Sequence, residues 1–180
     1  MVLVILFYAL QITLLACAGI FMWTWFSGGP YTPIPHHIME SIVKKIDLQP
    51  GQVIYDLGAG DARVLIHACK KYKVTAIGYE INPIVLLVGK LKAALARCGT
   101  QVHLVLGDLY KAPLRNADVV FVHLLPHGMR RLSRKLLAEL PAGARVVSYG
   151  AQIPDLTFVK TITVKKGKLT YPLTAHVYTR

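Results

Sequence analysis

An alternation of short apolar runs with helical patterns, between residues 53 and 148, constrains the fold of this chain more than any other feature. The runs expected to form strands are Val53–Asp56, Val74–Glu80, Val102–Gly107, Val119–Leu124 and Arg145–Ser148. The helical patterns between them cover Ala62–Lys71, Pro83–Arg97 and Met129–Leu140. The strand runs are apolar throughout, which is typical of a parallel sheet covered by helices on both faces.

The sequence on either side of this core has different patterns. Residues 36–46 have the period of a short amphipathic helix. Thr157–Val164 and Leu169–Tyr178 alternate apolar and polar side chains around a Lys-rich connection, which predicts a C-terminal antiparallel hairpin. The expected fold class is therefore α/β, with a Rossmann-like, doubly wound, mostly parallel sheet that ends in this hairpin.

The N-terminal segment up to Phe26 contains no charged side chain. A bilayer core of about 30 Å needs roughly 20 helical residues, and Val2–Phe26 supplies them. Trp23 and Trp25 fall at one end, where amphipathic rings favour the membrane–water interface. The sequence therefore predicts three parts, a transmembrane anchor at 1–26, a Gly/Pro linker at 27–35 and one domain at 36–180.

Two other interpretations of the N-terminal segment remain open, a signal peptide that is removed and a hydrophobic helix buried in the domain. A signal peptide would have a basic N-terminal region and a shorter apolar stretch, and this segment has neither. If the segment is an anchor, Lys44 and Lys45 follow it closely. The positive-inside tendency then predicts a single-pass protein whose domain faces the cytoplasm, or the matrix of an organelle.

The charge balance narrows the class of protein further. The chain has 54% hydrophobic residues, 21 Lys and Arg against 9 Asp and Glu, and a formal net charge of +12. Such aliphatic content excludes a disordered chain, and no second apolar run is long enough to span a membrane. The positive charge suits an anionic lipid surface or the phosphates of RNA.

Acidic residues and glycines follow the first expected strand. Gly58 and Gly60 allow the backbone to turn sharply and to approach a ligand closely. Arg63 stands where the third glycine of a dinucleotide-binding motif would be, and Asp56 precedes the loop, which suits a cationic ligand better than a pyrophosphate. The alternative is an ordinary strand–helix turn in which Asp61 caps the helix.

The next two expected strands also end in carboxylates. Glu80, at the tip of the second strand, can accept hydrogen bonds from both hydroxyls of a ribose. Asp108 follows the third strand and can accept a hydrogen bond from an adenine amino group. Four of the nine acids, including Asp56 and Asp61, thus fall at one sheet edge. This pattern predicts a positively charged nucleoside as ligand, and S-adenosylmethionine has that chemistry.

The same motifs carry a family resemblance. Asp-Leu-Gly-Ala-Gly-Asp at 56–61, Gly-Tyr-Glu-Ile-Asn-Pro at 78–83 and Gly-Asp-Leu at 107–109 resemble the successive motifs of class I S-adenosylmethionine-dependent methyltransferases. With Tyr-Thr-Pro at 31–33 and Leu-Leu-Pro at 124–126, they resemble the membrane-anchored protein-lysine methyltransferases that include the ATP synthase c-subunit lysine methyltransferase. Ala62 departs from this family, which usually has a third glycine there.

The resemblance implies roles for individual residues. Asp56, Gly58 and Gly60 would hold the methionine end of S-adenosylmethionine, and Glu80 would bind its ribose. The remaining residues that the resemblance places at the cofactor are Tyr31, Thr32, Asp61, Asn82, Asp108 and Leu109. Tyr31 is also a candidate catalytic residue because it would close over the methyl donor.

His123 is the second candidate catalytic residue, although the family offers no counterpart for it. Its spacing from His127 also suggests a metal pair, but Pro126 would break the helix that such a pair needs, so no metal is expected. The connections between strands are short, which leaves the expected site open and favours a protein acceptor at the membrane.

Other acceptors and another function stay open. RNA methyltransferases often carry an Asn/Asp-Pro-Pro-aromatic tetrad after the fourth strand, where this chain has His-Leu-Leu-Pro at 123–126, so RNA is the less favoured acceptor. A lipid or quinone acceptor is a further alternative. The least favoured interpretation is a membrane-tethered nucleotide-binding module without catalysis.

Overall fold

The computed structural model describes residues 1–27, 31–164 and 173–180, and its helices and strands alternate along the chain. The helices are α1 (Val2–Ser27), α2 (His36–Lys45), α3 (Arg63–Tyr72), α4 (Pro83–Leu95) and α5 (Pro126–Glu139). The strands are β1 (Val53–Leu57), β2 (Thr75–Glu80), β3 (Val102–Leu106), β4 (Val119–Val122), β5 (Arg145–Tyr149), β6 (Thr157–Val164) and β7 (Leu173–Thr179).

These strands form one seven-stranded sheet in the order β3-β2-β1-β4-β5-β7-β6. Strands β1 to β5 are parallel, whereas β7 pairs antiparallel with both β5 and β6. The strand order reverses between β1 and β4, so the carboxyl ends of β1 and β4 flank a topological switch point where α/β proteins bind ligands. The predicted fold class, including the terminal antiparallel pair, is confirmed.

Helices cover the two faces of the sheet, and each face has its own hydrophobic core. On one face, α2 and α3 pack through residues such as Ile38, Ile42 and Leu65. On the other face, α5 packs through residues such as Met129 and Leu132. The amphipathic pattern predicted for residues 36–46 is confirmed, since its apolar residues are all buried. They are Ile38, Ile42, Val43 and Ile46.

The structure corrects several predicted boundaries. Helix α5 begins at Pro126 rather than Met129, because proline suits the first turn of a helix, where its missing N–H leaves no bond unmade. Strand β4 ends at Val122, so His123 and Leu124 lie in the loop rather than in the strand. The second hairpin strand reaches Thr179, one residue beyond its predicted end, and its predicted beginning and the Lys-rich connection lie at 165–172, outside the described residues.

No side chain of the window Val2–Gly19 of helix α1 is buried against the domain. The window Val2–Gly19 has a mean hydropathy of 2.3 and none of it is buried, so its length and composition suffice to cross a membrane. The alternative of a hydrophobic helix buried in the domain is therefore wrong for this window. The side chains of Trp23 and Trp25, which were expected at an interface, lie outside those that the structure describes.

Candidate functional site

A cavity of about 210 Å³ opens at the carboxyl ends of β1, β2, β3 and β4. It is built from the loop after each of these strands, together with the segment that precedes α2. All the residues expected at the cofactor line it, as does His123. They are Tyr31, Thr32, Asp56, Gly58, Gly60, Asp61, Glu80, Asn82, Asp108 and Leu109. The topology thus brings the predicted site residues into one cavity.

The loop after β1 turns sharply because three of its residues have positive φ. Gly58 and Gly60 have φ of 99° and 56°, and Ala62 has φ of 61°. The N–H groups of Gly58 and Ala59 both donate to the carbonyl oxygen of Tyr79 at 2.9 Å. A Cβ atom on Gly60 would lie 2.9 Å from the ring of Tyr31, so the position requires glycine for space as well as for conformation.

Ala62 has a left-handed conformation, which suits the glycine that the family resemblance leads us to expect at this position. Its side chain is fully buried, and it precedes α3 without capping the helix by any side-chain hydrogen bond. The alternative in which Asp61 caps this helix is therefore wrong. An alanine in this region costs about 1 kcal/mol more than glycine, which the packing of the loop must offset.

Asp61 instead holds two cations from different helices. Arg63 donates to both oxygens of its carboxylate at 2.8 Å, and Lys92 of α4 forms a further ion pair with it. Burial would raise the pKa of Asp61, but the hydrogen bonds from Arg63 and Lys92 outweigh burial and keep that pKa well below its usual range. This ion-pair cluster stabilises the beginning of α3 against α4.

Asp56 has the opposite electrostatic environment. Its side chain is buried at the end of β1 and lines the cavity. Burial, and then the negative charges of Glu80 and Asp61, raise its pKa from 3.8 to about 8. Asp56 therefore carries a proton at neutral pH until a positive charge enters the cavity.

Glu80 braces the glycine loop with both carboxylate oxygens. One oxygen accepts from the N–H of Gly60 at 2.8 Å, and the other accepts from the N–H of Asn82 at 2.8 Å. An ionised carboxylate has about four acceptor positions, so both oxygens retain capacity for hydroxyl donors. Glu80 can therefore fix the loop and bind a ligand at the same time.

Asn82 and Asp108 cap the elements that follow their strands. The Asn82 side chain accepts from the N–H groups of Ile84 and Val85 at 3.0 and 3.3 Å, which satisfies the first turn of α4. The Asp108 carboxylate accepts from the N–H of Tyr110 at 2.9 Å. Both residues line the cavity, but these contacts give each a local structural role that the sequence alone did not reveal.

The segment before α2 covers one side of the cavity, and Arg63 holds it in place. The Arg63 guanidinium donates to the carbonyl oxygen of Ile34 at 2.8 Å and to the Tyr31 hydroxyl at 3.4 Å. In the sequence, Arg63 stands out only as a departure from a glycine motif. Its contact with Ile34 spans 29 residues of sequence, and no local pattern predicts it.

His123 lies on the opposite wall, beside the same segment. Its ring forms an edge-on contact with Tyr149, with the ring centroids 4.8 Å apart, and a hydrogen bond with the backbone of Thr32. Burial lowers the pKa of His123, and the hydrogen bond to Thr32 opposes this only in part. His123 is therefore a neutral imidazole at pH 7, able to accept a proton.

No grouping of three or more metal-ligating side chains occurs among residues 1–27, 31–164 and 173–180. Helix α5 begins at Pro126, with Leu125 as its N-cap, so no helix joins His123 to His127, as expected from the proline. His127 is exposed at the start of that helix and does not line the cavity.

Comparison with known proteins relates this site to a family of enzymes. The adenine nucleotide translocase lysine N-methyltransferase of Mus musculus is 37% identical over 125 residues, which are 69% of this chain and 54% of that protein. A protein-lysine N-methyltransferase of Saccharolobus islandicus is 29% identical over 82% of this chain and 92% of its own length. The ATP synthase c-subunit lysine N-methyltransferase of Homo sapiens is 30% identical over 71% of this chain and 54% of that protein. The chain thus spans about half the length of the two animal relatives.

Solved structures agree on the fold. An RNA methyltransferase from Salinibacter ruber, crystallised with S-adenosyl-L-homocysteine, superposes with a TM-score of 0.74 at 28% identity, covering 82% of this chain and 93% of that one. TrmN from Thermus thermophilus has a TM-score of 0.67 at 16% identity, which shows the fold alone. The model of the ANTKMT methyltransferase domain matches residues 56–160, which include the end of β1, all of β2 to β5 and every strand end that forms the cavity. The predicted family is confirmed, and the chain belongs to the family of ANTKMT methyltransferase domains.

Proposed function

We propose that this protein is an S-adenosylmethionine-dependent methyltransferase whose acceptor is a lysine side chain of a protein. The observation that carries the proposal is the buried carboxyl of Asp56, which lines the cavity with Glu80 and Asp61 and whose raised pKa a nearby cation would lower. Relatives that cover different shares of the chain are named as lysine N-methyltransferases, including one matched over 92% of its length.

The residues of the cavity fit S-adenosylmethionine. Asp56 would accept from the ammonium group of its methionine part, and the backbone at Gly58 and Gly60, which line the cavity without side chains, would let that part approach closely. Glu80 would use its remaining acceptor capacity for the ribose hydroxyls. Asp108 and Leu109 would flank the adenine. Asp61 and Asn82 would hold the loops after β1 and β2 in position.

When bound, S-adenosylmethionine would supply an electrophilic methyl group, whose carbon–sulfur bond breaks as a neutral amine forms the new carbon–nitrogen bond, with S-adenosylhomocysteine as the leaving group. The protein has to position the amine and to exclude water from it. Tyr31, whose ring packs on Gly60, would form one wall of the passage to the donor. The open cavity requires no inserted cap, which favours a macromolecular acceptor.

His123 would accept the proton that the acceptor must lose. A free lysine has a pKa of about 10.4, so at pH 7 it arrives as an ammonium that cannot attack. His123 is a neutral imidazole that lines the cavity, and its hydrogen bond to the backbone of Thr32 fixes its ring. Proton acceptance at a positioned imidazole contributes typically 10²–10⁴-fold to a rate.

The membrane location is part of the same proposal. Helix α1 would span a bilayer as an anchor over 1–26, the linker would be 27–35 and the methyltransferase domain 36–180. Lys44 and Lys45 close to the anchor favour a domain that faces the cytoplasm, or the matrix of an organelle. An anchored domain meets acceptors at the membrane surface at high effective concentration.

Transfer of a labelled methyl group tests the proposal. The full-length protein in detergent is incubated with methyl-labelled S-adenosylmethionine and with separated membrane-protein, lipid and RNA fractions. We expect label in protein, on lysine after acid hydrolysis, and no transfer by Asp56→Ala or Glu80→Gln. Glu40→Gln, which changes an exposed carboxylate outside the cavity, is the matched control and should transfer normally. Label in lipid alone would contradict the lysine acceptor.

RNA is the second candidate acceptor, and one observation favours it. The Salinibacter ruber structure, matched over 93% of its chain, is named as an RNA methyltransferase. The positive surface of this chain, with a net charge of +12, also suits phosphates. Label that appears only in the RNA fraction, and that ribonuclease releases, would establish this alternative and exclude lysine.

A further inference from the structure

Helix α4 has an apolar face that points away from the domain. Its buried side is formed by Leu86, Gly89 and Ala93, which pack toward the sheet. The opposite side carries apolar residues at helical spacing that are between 41% and 85% exposed. This surface, called the α4 stripe, consists of Ile84, Leu87, Val88, Leu91 and Leu95.

The α4 stripe is unusual for a helix on the surface of a sheet. Such helices ordinarily present polar side chains to water and apolar ones to the core, whereas α4 is apolar on both sides. Leu106 of the edge strand β3 extends the exposed apolar surface, with 56% of its side chain exposed. With 13 residues, α4 is too short to cross a bilayer. An exposed apolar face of this kind marks a site that binds another surface.

The charges around the stripe indicate what that surface is. Lys90 lies on one flank of the stripe and Arg97 follows its end, whereas Lys92 on the other flank is paired with Asp61, and α4 contains no acidic residue. A second copy of the chain would bring two such basic flanks together, because a two-fold contact pairs the same patch with itself. An anionic lipid surface supplies the opposite charge and accepts the apolar side chains between the headgroups.

We propose that α4 docks in the plane of an anionic bilayer, with the α4 stripe inserted at the headgroup–acyl boundary. A separate part of the chain, the exposed apolar helix α1, offers a membrane-spanning segment and keeps the domain at the bilayer. The stripe begins two residues after Asn82, which lines the cavity. Docking through α4 therefore holds the rim of the cavity at the membrane surface. This inference goes beyond methyl transfer and depends only on a bilayer being present.

Fluorescence quenching of the reconstituted full chain tests this docking. A polarity-sensitive fluorophore is attached at Leu91→Cys in a Cys17→Ser background, since Cys69 and Cys98 are buried. The matched control is Leu137→Cys, a partly exposed position on α5 across the sheet. In vesicles containing phosphatidylglycerol, we expect quenchers carried on lipid chains to act at least about threefold more strongly at 91 than at 137. Equal quenching at both positions would overturn the proposal.

A second variant separates docking from anchoring. Leu87→Asp, with the fluorophore at Leu91→Cys, should lose lipid quenching while the protein still sediments with the vesicles and melts at the same temperature. Lipid quenching that survives Leu87→Asp would overturn docking through the stripe. Energy transfer between differently labelled copies that persists on dilution with excess lipid would also overturn it, because a second copy would then cover α4. Neither result affects the methyl-transfer assay in detergent, so the two proposals fail independently.

Discussion

At the residue scale, the site depends on two aspartates, five positions apart, that have opposite titration behaviour. Asp61 stays ionised because Arg63 and Lys92 donate to it, whereas burial and negative neighbours hold a proton on Asp56 up to a pKa of about 8. The protein thus fixes one charge for structure and keeps the other available for a ligand. Burying the carboxyl of Asp56 lowers the stability of the fold but prepares the site for a cation, as is common at functional sites.

The substitution Asp56→Asn should stabilise the fold at high pH but weaken cofactor binding. The folded pKa of about 8 lies above the ordinary 3.8, so the folded state holds a proton that the unfolded chain has lost, and the free energy of unfolding falls as pH rises from about 4 to about 8. Asp56→Asn removes this loss. We expect it to raise the free energy of unfolding at pH 9 by roughly 1–2 kcal/mol and to weaken S-adenosylmethionine binding about 100-fold.

Denaturant unfolding at pH 5 and pH 9, with calorimetric titration of the cofactor, checks this prediction. Asp155→Asn replaces an exposed carboxylate outside the cavity and is the matched control, with no change expected in either measurement. A variant Asp56→Asn that is less stable at pH 9 than the original protein would contradict the prediction, because it would show that folding does not raise the pKa of Asp56.

Cofactor binding should release a proton below pH 8. The sulfonium and ammonium of S-adenosylmethionine favour the ionised form of Asp56, which must lose its proton to receive them. Affinity should therefore rise with pH up to about 8, by as much as tenfold per unit, and level off above it. Calorimetry in two buffers of different ionisation enthalpy measures the released proton directly, and equal binding enthalpies in both buffers would contradict the prediction.

At the element scale, a single side chain ties the segment before α2 to the site. Arg63 of α3 donates to Ile34, to Tyr31 and to Asp61, so the beginning of the helix, the glycine loop and the cover of the cavity form one unit. Exposed ion pairs contribute little to stability, but Arg63 is partly buried and hydrogen-bonded in a fixed geometry. We therefore expect Arg63 to keep the segment before α2 ordered, with little effect on the melting temperature of the whole domain.

Replacing Arg63 should loosen the segment before α2 and leave the rest of the domain unchanged. In Arg63→Ala, amide hydrogen exchange in residues 31–36 should accelerate more than about tenfold, while exchange in β1 and β4 stays slow. Cofactor affinity should fall about tenfold because the Tyr31 wall is no longer held in place. Arg134→Ala, on the exposed side of α5, is the control. Unchanged exchange in residues 31–36 would show that the packing of Ile34 is enough to hold this segment over the cavity.

At the scale of the whole molecule, the chain divides its apolar residues between a folded core and two exposed surfaces. The two cores lie on opposite faces of the sheet, while α1 and the α4 stripe are exposed to solvent in the isolated chain. A soluble monomer rarely exposes such large contiguous apolar surface. Together with the net charge of +12, this arrangement supports the proposal that the domain works against an anionic membrane.

The proposed membrane anchoring can be tested by changing α1 alone. Leu10→Arg with Leu14→Arg places two charges near the centre of the apolar window, each costing about 2.5–3.5 kcal/mol on insertion. We expect this variant to move from the carbonate-resistant membrane pellet to the soluble fraction, whereas Leu137→Arg on α5 should stay in the pellet. A double variant that remained in the pellet after carbonate would contradict a spanning α1.

The sequence by itself determined the class of fold, the family and which residues line the site. It could do so because parallel strands buried on both faces are apolar throughout, and because the residue after such a strand always reaches the same sheet edge. For that reason, the sequence predicts that Asp56, Glu80 and Asp108 lie together at one edge of the sheet. The extent of the three predicted parts of the chain stays a prediction.

Only the tertiary structure decided how those residues are held and which surfaces are left over. The hydrogen bond from Arg63 to Ile34, the contact of His123 with Tyr149 and the outward direction of the α4 stripe all depend on how distant segments pack. Period and composition fix which face of a helix is apolar, but α4 is apolar on two faces. Which of them meets the sheet is a matter of packing, because the small Gly89 and Ala93 allow the close approach that the larger leucines prevent.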